Sequence, residues 1–116
     1  MPKAEKTTTK TIEAEDTTTD TISPDVFKIG GPATEAVIEG GGLDEPGLKA
    51  SVYTLEGIPD DPLVVIEQPL PDGVTAKKFP ITITVLDGAE SGYRTVAIMQ
   101  DGNAISEMLN IISIVH

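Results

Sequence analysis

Ile81, Ile83 and Val85 alternate with Thr82 and Thr84, the period-two pattern of a strand with one face buried and the other in water. Apolar runs of similar length recur from residue 25 onward. Between them lie Gly30-Gly31-Pro32, Gly40-Gly41-Gly42, Pro59-Asp60-Asp61-Pro62, Asp87-Gly88 and Asp101-Gly102, residues that fix φ or tolerate positive φ as turns require. Strands are therefore expected at about 25–29, 34–39, 48–55, 63–67, 79–86, 93–100 and 105–115, in the pattern of an all-β sandwich of about seven strands.

Two of these strands depart from simple alternation. In 93–100, Tyr93, Ala97 and Met99 fall on one side and Val96 and Ile98 on the other; in 105–115, Met108, Ile112 and Ile114 oppose Leu109, Ile111 and Val115. A two-layer sandwich buries only its inner faces, so a strand apolar on both sides needs a second cover. Ile81, Ile83, Val85, Tyr93 and Ala97 are expected inside, and Val96, Ile98, Leu109, Ile111 and Val115 are the body's candidates for contact with another chain. Two alternatives stand beside this reading. The outer Val and Ile residues reflect β-propensity alone, or Ala, Glu, Met and Leu turn 104–115 into a helix, against which its Ile-rich end argues.

Residues 1–21 have a different character. Eight of them are Thr, and only Met1, Ala4, Ile12 and Ala14 are apolar, so the segment lacks the material for a core of its own. It is expected to be an extended arm joined at residue 22 to a body spanning 22–116. β-Branched Thr favours extended backbone, and its hydroxyls suit pairing along a neighbouring surface. The arm's candidate partner-binding residues are Thr7, Thr8, Thr9, Ile12, Thr17, Thr18 and Thr19, with Ile12 the main apolar contact. Lys3, Lys6 and Lys10 precede Glu13, Glu15 and Asp16, so the arm carries charges of both signs.

Composition removes several functions. Eight Lys and Arg against 19 Asp and Glu leave a net charge of -11, which repels a phosphate backbone and disfavours nucleic acid as a partner. Without Cys there is neither a disulfide framework nor a thiolate metal site. No secretory signal or run of about 18 apolar residues is evident, so export by such a signal and a membrane span are not expected. The single His is His116, which leaves a Ser-His or Cys-His nucleophile without parts, and no Ser occupies a G-x-S-x-G turn. Asp60 and Asp61 lie between prolines and no D-x-D-x-D-G loop occurs, so the loop carboxylates read as solvated turns rather than a calcium site. No glycine-rich phosphate loop is present. The chain reads as a protein that is not an enzyme, with no catalytic residues, cofactor or metal expected.

Ile22-Ser23-Pro24, then Gly30-Gly31, then Glu35-Ala36-Val37-Ile38-Glu39-Gly40-Gly41-Gly42-Leu43 resembles the opening of an IPT/TIG immunoglobulin-like domain. Gly92-Tyr93 followed by an alternating strand and the Asp101-Gly102 turn is similar to that family's penultimate strand and final hairpin. The Pro-rich, acidic stretch 56–78 departs from the pattern and lacks a G-x-x-A loop. The resemblance implies an immunoglobulin-like β-sandwich, with Tyr93 at a tyrosine corner; a sandwich of this kind carries many unrelated roles. A small acidic immunoglobulin-like body with a long polar arm also resembles, in architecture, the bacteriophage capsid decoration (cement) proteins. That resemblance implies a structural protein on the capsid surface of a virion, made in the host cytoplasm, with the major capsid protein as partner and a homo-oligomer, such as a trimer, on the shell. The alternative is an adhesin or carbohydrate-binding module of a surface, tail or fibre protein, although Phe27, Tyr53, Phe79 and Tyr93 are the whole aromatic inventory.

Overall fold

The computed structural model describes residues 17–67 and 73–116. They form eight strands: β1 (Thr18–Ser23), β2 (Val26–Lys28), β3 (Thr34–Gly41), β4 (Leu48–Val52), β5 (Val64–Glu67), β6 (Lys78–Val85), β7 (Gly92–Gln100) and β8 (Asn103–Val115). No helix long and apolar enough to cross a membrane occurs among the described residues. Two four-stranded sheets result, ordered β1-β3-β6-β5 and β2-β8-β7-β4, and the second curls as a half-barrel. Segment 104–115 is strand, paired with β7 along its length.

The expected and observed strands agree closely from β3 onward and differ at the start. Thr18–Ser23 is an additional strand, antiparallel to β3, with Thr18 opposite Gly41 and Ile22 opposite Ile38. The expected arm boundary at residue 21 thus falls inside β1, and Thr18 to Thr21 belong to the body's ladder. Gly40 makes this possible, since a Cβ there would lie 2.0 Å from the Thr18 carbonyl oxygen. Only a glycine lets the irregular stretch between Thr19 and Thr21 approach so closely. The chain then crosses to the second sheet, where β2 runs parallel to the end of β8.

The core follows the alternation. Phe79, Ile81, Ile83 and Val85 of β6 are buried against Ala36 and Ile38 of β3, with Met108, Ile112 and Ile114 of β8 in the same cluster. Residues β7 contributes to this interior differ from those expected. Val96 and Ile98, expected on the outer face, are fully buried within the core cluster, and Tyr93, expected inside, is 68% exposed. The inward set is Arg94, Val96 and Ile98. At the centre of β7 the choice lies between Ala97 and the β-branched Val96 and Ile98, which bury more apolar area; Tyr93 and Met99 lie next to the strand's ends, and Asp61 meets the charge of Arg94 inside the fold.

Arg94 is 2% exposed. Its Nη1 lies 2.6 Å from Asp61 Oδ2 and also donates to the Tyr53 carbonyl at 3.1 Å, while Nη2 donates to the Glu90 carbonyl at 2.5 Å. Asp61 is held in turn: its N–H donates to the Val52 carbonyl at 2.9 Å, and its Oδ1 accepts from the Leu63 N–H at 2.9 Å.

β7 and β8 meet in a hairpin whose two central residues, Asp101 and Gly102, have φ of 54° and 82°, as a two-residue turn of primed type needs. Farther along, Arg94 pairs with Ile112 but Val96 with Met108. One residue of β7 therefore faces three of β8, Leu109 to Ile111, and Asn110 takes a φ of 52° with its N–H donating to Thr95 Oγ1. Because the insertion is even, Met108, Ile112 and Ile114 all remain on the core side.

Ile83, 1% exposed at the centre of β6, reports directly on this register. Ile83→Ala should cost about 2–5 kcal/mol in urea unfolding, whereas Thr84→Ala beside it should change stability by about half a kilocalorie or less. Equal effects at the two positions would contradict the register.

Candidate functional site

The surface that stands out is the outer face of the second sheet. Side chains alternate across a strand, so if Phe27 of β2 and Ile114 of β8 point into the core, Val26, Lys28, Ser113 and Val115 point out. The ladder places Val26 opposite Ser113 and Ser113 opposite Tyr93. One row thus crosses three strands, with Val26 54% and Tyr93 68% exposed at its two ends. Val115, 36% exposed, follows two residues along β8, and Leu109, 73% exposed, stands at the insertion opposite Thr95.

Of the five body residues expected to meet another chain, Leu109 and Val115 are exposed on this face. Ile111 is half-buried and packs against the core, while Val96 and Ile98 are interior. The insertion at 109–111 explains Ile111, because it turns the strand locally so that a nominally outer residue leans inward. Tyr93 and Val26 were missed for opposite reasons. The Gly92-Tyr93 pair resembled a buried corner, and β2 is too short for its alternation to be legible. In the arm set, Thr7, Thr8, Thr9 and Ile12 lie outside the described residues. Thr17 Oγ1 donates to the Gly42 carbonyl at 3.1 Å, and Thr19 Oγ1 pairs with Ser106 Oγ at 2.7 Å. Thr18 lies in β1. Thr19 thus bridges β1 to β8, while Thr17 and Thr18 stand against the end of β3.

The other half of the outer face is closed by Tyr53. Its N–H extends the β4–β7 ladder by donating to the Thr95 carbonyl at 3.0 Å, and its hydroxyl donates to Glu107 Oε2 on β8 at 2.6 Å. Glu107 pairs with Ala97, which pairs with Ser51. The ring therefore spans β7, which accounts for an Ala97 that is fully buried yet outside the core cluster. Burial, first, and then the hydrogen bond to Glu107 push the Tyr53 phenol up to about 12. Among the described residues no three His, Cys, Asp or Glu side chains converge to hold a metal. Hollows of about 370 and 450 Å³ flank Lys49, Ala50 and Asp60 beside β4; both are open grooves.

Comparison of the chain with protein-family models, with curated proteins and with solved structures gives no match.

The raised phenol predicts a pH dependence. Because the folded pKa lies above the unfolded value of about 10, the protonated hydroxyl stabilises the fold fully below pH 10. That contribution is lost as pH rises toward the folded value of about 12. Stability of the native chain minus that of Tyr53→Phe should therefore shrink between about pH 10 and 12. A difference that stays constant over this range would contradict the Tyr53–Glu107 bond.

Proposed function

We propose that this chain is a structural virion protein, a capsid decoration (cement) protein that binds the outer surface of a phage head. In this reading residues 1–16 anchor on the major capsid protein and the body's apolar row meets a neighbouring chain on the shell. The observation that carries it is the exposed apolar row of Val26, Tyr93 and Val115, with Leu109 nearby, on a small acidic domain. A freely soluble domain keeps such patches small, and a larger one marks a surface that meets a partner. We take the body as immunoglobulin-like. Support comes from the sheet orders β1-β3-β6-β5 and β2-β8-β7-β4, which correspond to ABED and CFG sheets with the first strand shared between the two.

The first described residue, Thr17, is bonded at the Gly42 corner of the first sheet. Thr17 is therefore at the rim of the body and not in its core, which suits an anchoring role for the residues before it. An adhesin or carbohydrate-binding module is the second reading, and the exposed Tyr93 ring favours it as a stacking platform. That ring stands beside Ser113 and Val26 with no second aromatic in its row, so it offers one platform rather than an aromatic cleft.

The test is removal of residues 1–16, a cut that spares β1. The truncated protein should melt within about 2 °C of the full chain and bind emptied phage shells at least about tenfold more weakly in co-sedimentation. Undiminished shell binding by the truncated protein would overturn the anchoring role.

A further inference from the structure

The charge distribution points to what covers the apolar face, and we propose that it is a second copy of this chain, packed face to face across a two-fold axis. The chain carries 19 Asp and Glu, yet the four strands of the second sheet hold a single carboxylate, Glu107. That one is engaged by the Tyr53 hydroxyl at 2.6 Å, and the loop carboxylate Asp60, whose N–H donates to Ser51 Oγ at 2.9 Å, stands beside the half that Tyr53 closes and not beside Tyr93 and Val26. The strands of the first sheet carry Asp20, Glu35, Glu39 and Glu67, and the remaining described carboxylates stand in turns and loops.

Symmetry gives this segregation its meaning. In a two-fold contact each patch meets the same patch of the other copy, so any net charge on it meets like charge. A chain at -11 associates with itself only through a surface from which its carboxylates have been removed. A cationic partner would select the reverse, since its basic groups gain by meeting carboxylates. The first sheet's outer face, with Glu35 and Glu39 on β3 and Glu67 on β5, suits that kind of partner. Lys28 and Lys49 lie on β2 and β4, the edge strands of the second sheet, where water screens them.

Size sets the strength. Strands of 3, 5, 9 and 13 residues, about 3.3 Å per residue and about 4.8 Å apart, present roughly 480 Å², part of it covered by Tyr53, well below the ~800 Å² per partner of a standard interface. The contact is therefore reversible and concentration-dependent. It does not rest on the coat-binding reading.

Sedimentation equilibrium of the full chain between about 5 and 500 μM, the range of a small interface, tests it. The mass should rise toward that of two copies. Tyr93→Asp and Leu109→Asp should hold the protein at one copy throughout with an unchanged melting temperature, and Val65→Asp, on the opposite sheet, should associate as the native chain does. Should an Asp variant melt early, Tyr93→Ser and Leu109→Ser replace it, with the same expectation. A native chain that stays monomeric at the highest concentration, a mass that levels at three copies, or association undisturbed by both variants would each overturn the proposal. Loss of shell binding on removing residues 1–16 leaves this measurement unaffected, so the two readings fail separately.

Discussion

A guanidinium inside an apolar sandwich is tolerated only where its charge is met, because an uncompensated buried ion destabilises a fold by about 3–5 kcal/mol, a large share of the total for a small domain. Arg94 meets its charge with Asp61 and shares its two terminal nitrogens among Asp61, Tyr53 and Glu90, while its buried Nε has no partner among the described residues. The partners are not neighbours in the chain. Tyr53 and Asp61 belong to the connection that takes β4 of the second sheet to β5 of the first, and Glu90 to the connection that returns from β6 to β7. One side chain thus ties together two crossings between the layers at the same end of the sandwich. Hydrophobic burial holds the sheets against each other, while this polar cluster dictates how the chain passes from one to the other.

The same cluster reaches the outer surface. Arg94 binds the Tyr53 carbonyl from inside, and the Tyr53 ring leaves on the other side of the sheet to bridge toward Glu107. Ala97 can be small because that ring covers it. Half of the outer face is therefore closed by the protein's own tyrosine, whereas the half around Tyr93, Val26 and Val115 is left open. The division leaves Tyr93, Val26 and Val115 as the exposed apolar patch of this sheet. It also places Glu107, the lone carboxylate in the strands of this sheet, under a hydrogen bond.

The sequence made the sheets legible wherever one face was buried and the other wet. β6 reads directly, since Phe79, Ile81, Ile83 and Val85 leave no ambiguity of phase. β7 did not, because Tyr93, Ala97 and Met99 compete with Val96 and Ile98, and the deciding residue, Arg94, reads as a surface cation until Asp61 is known to meet it. Asp61 itself, between prolines in an acidic stretch, resembles a solvated turn. β1 was hidden by its composition: Thr18, Thr19 and Thr21 continue a threonine-rich run, and only the close approach at Gly40 turns them into an edge strand. Of the outer face, Leu109 and Val115 were legible from their opposition to Met108, Ile112 and Ile114, whereas Tyr93 and Val26 depended on a phase and a strand that local pattern does not specify.

If the interior pair sets the outer face, disturbing Asp61 must weaken what Tyr53 does at the surface. A double-mutant cycle between Asp61→Asn and Tyr53→Phe, followed by urea unfolding, measures that link with few assumptions. The structure predicts a coupling of about 0.5 kcal/mol or more, the double variant being less destabilised than the sum of the single ones. Additivity within about 0.3 kcal/mol would mean that the buried pair and the Tyr53–Glu107 bridge are independent, and would contradict the account.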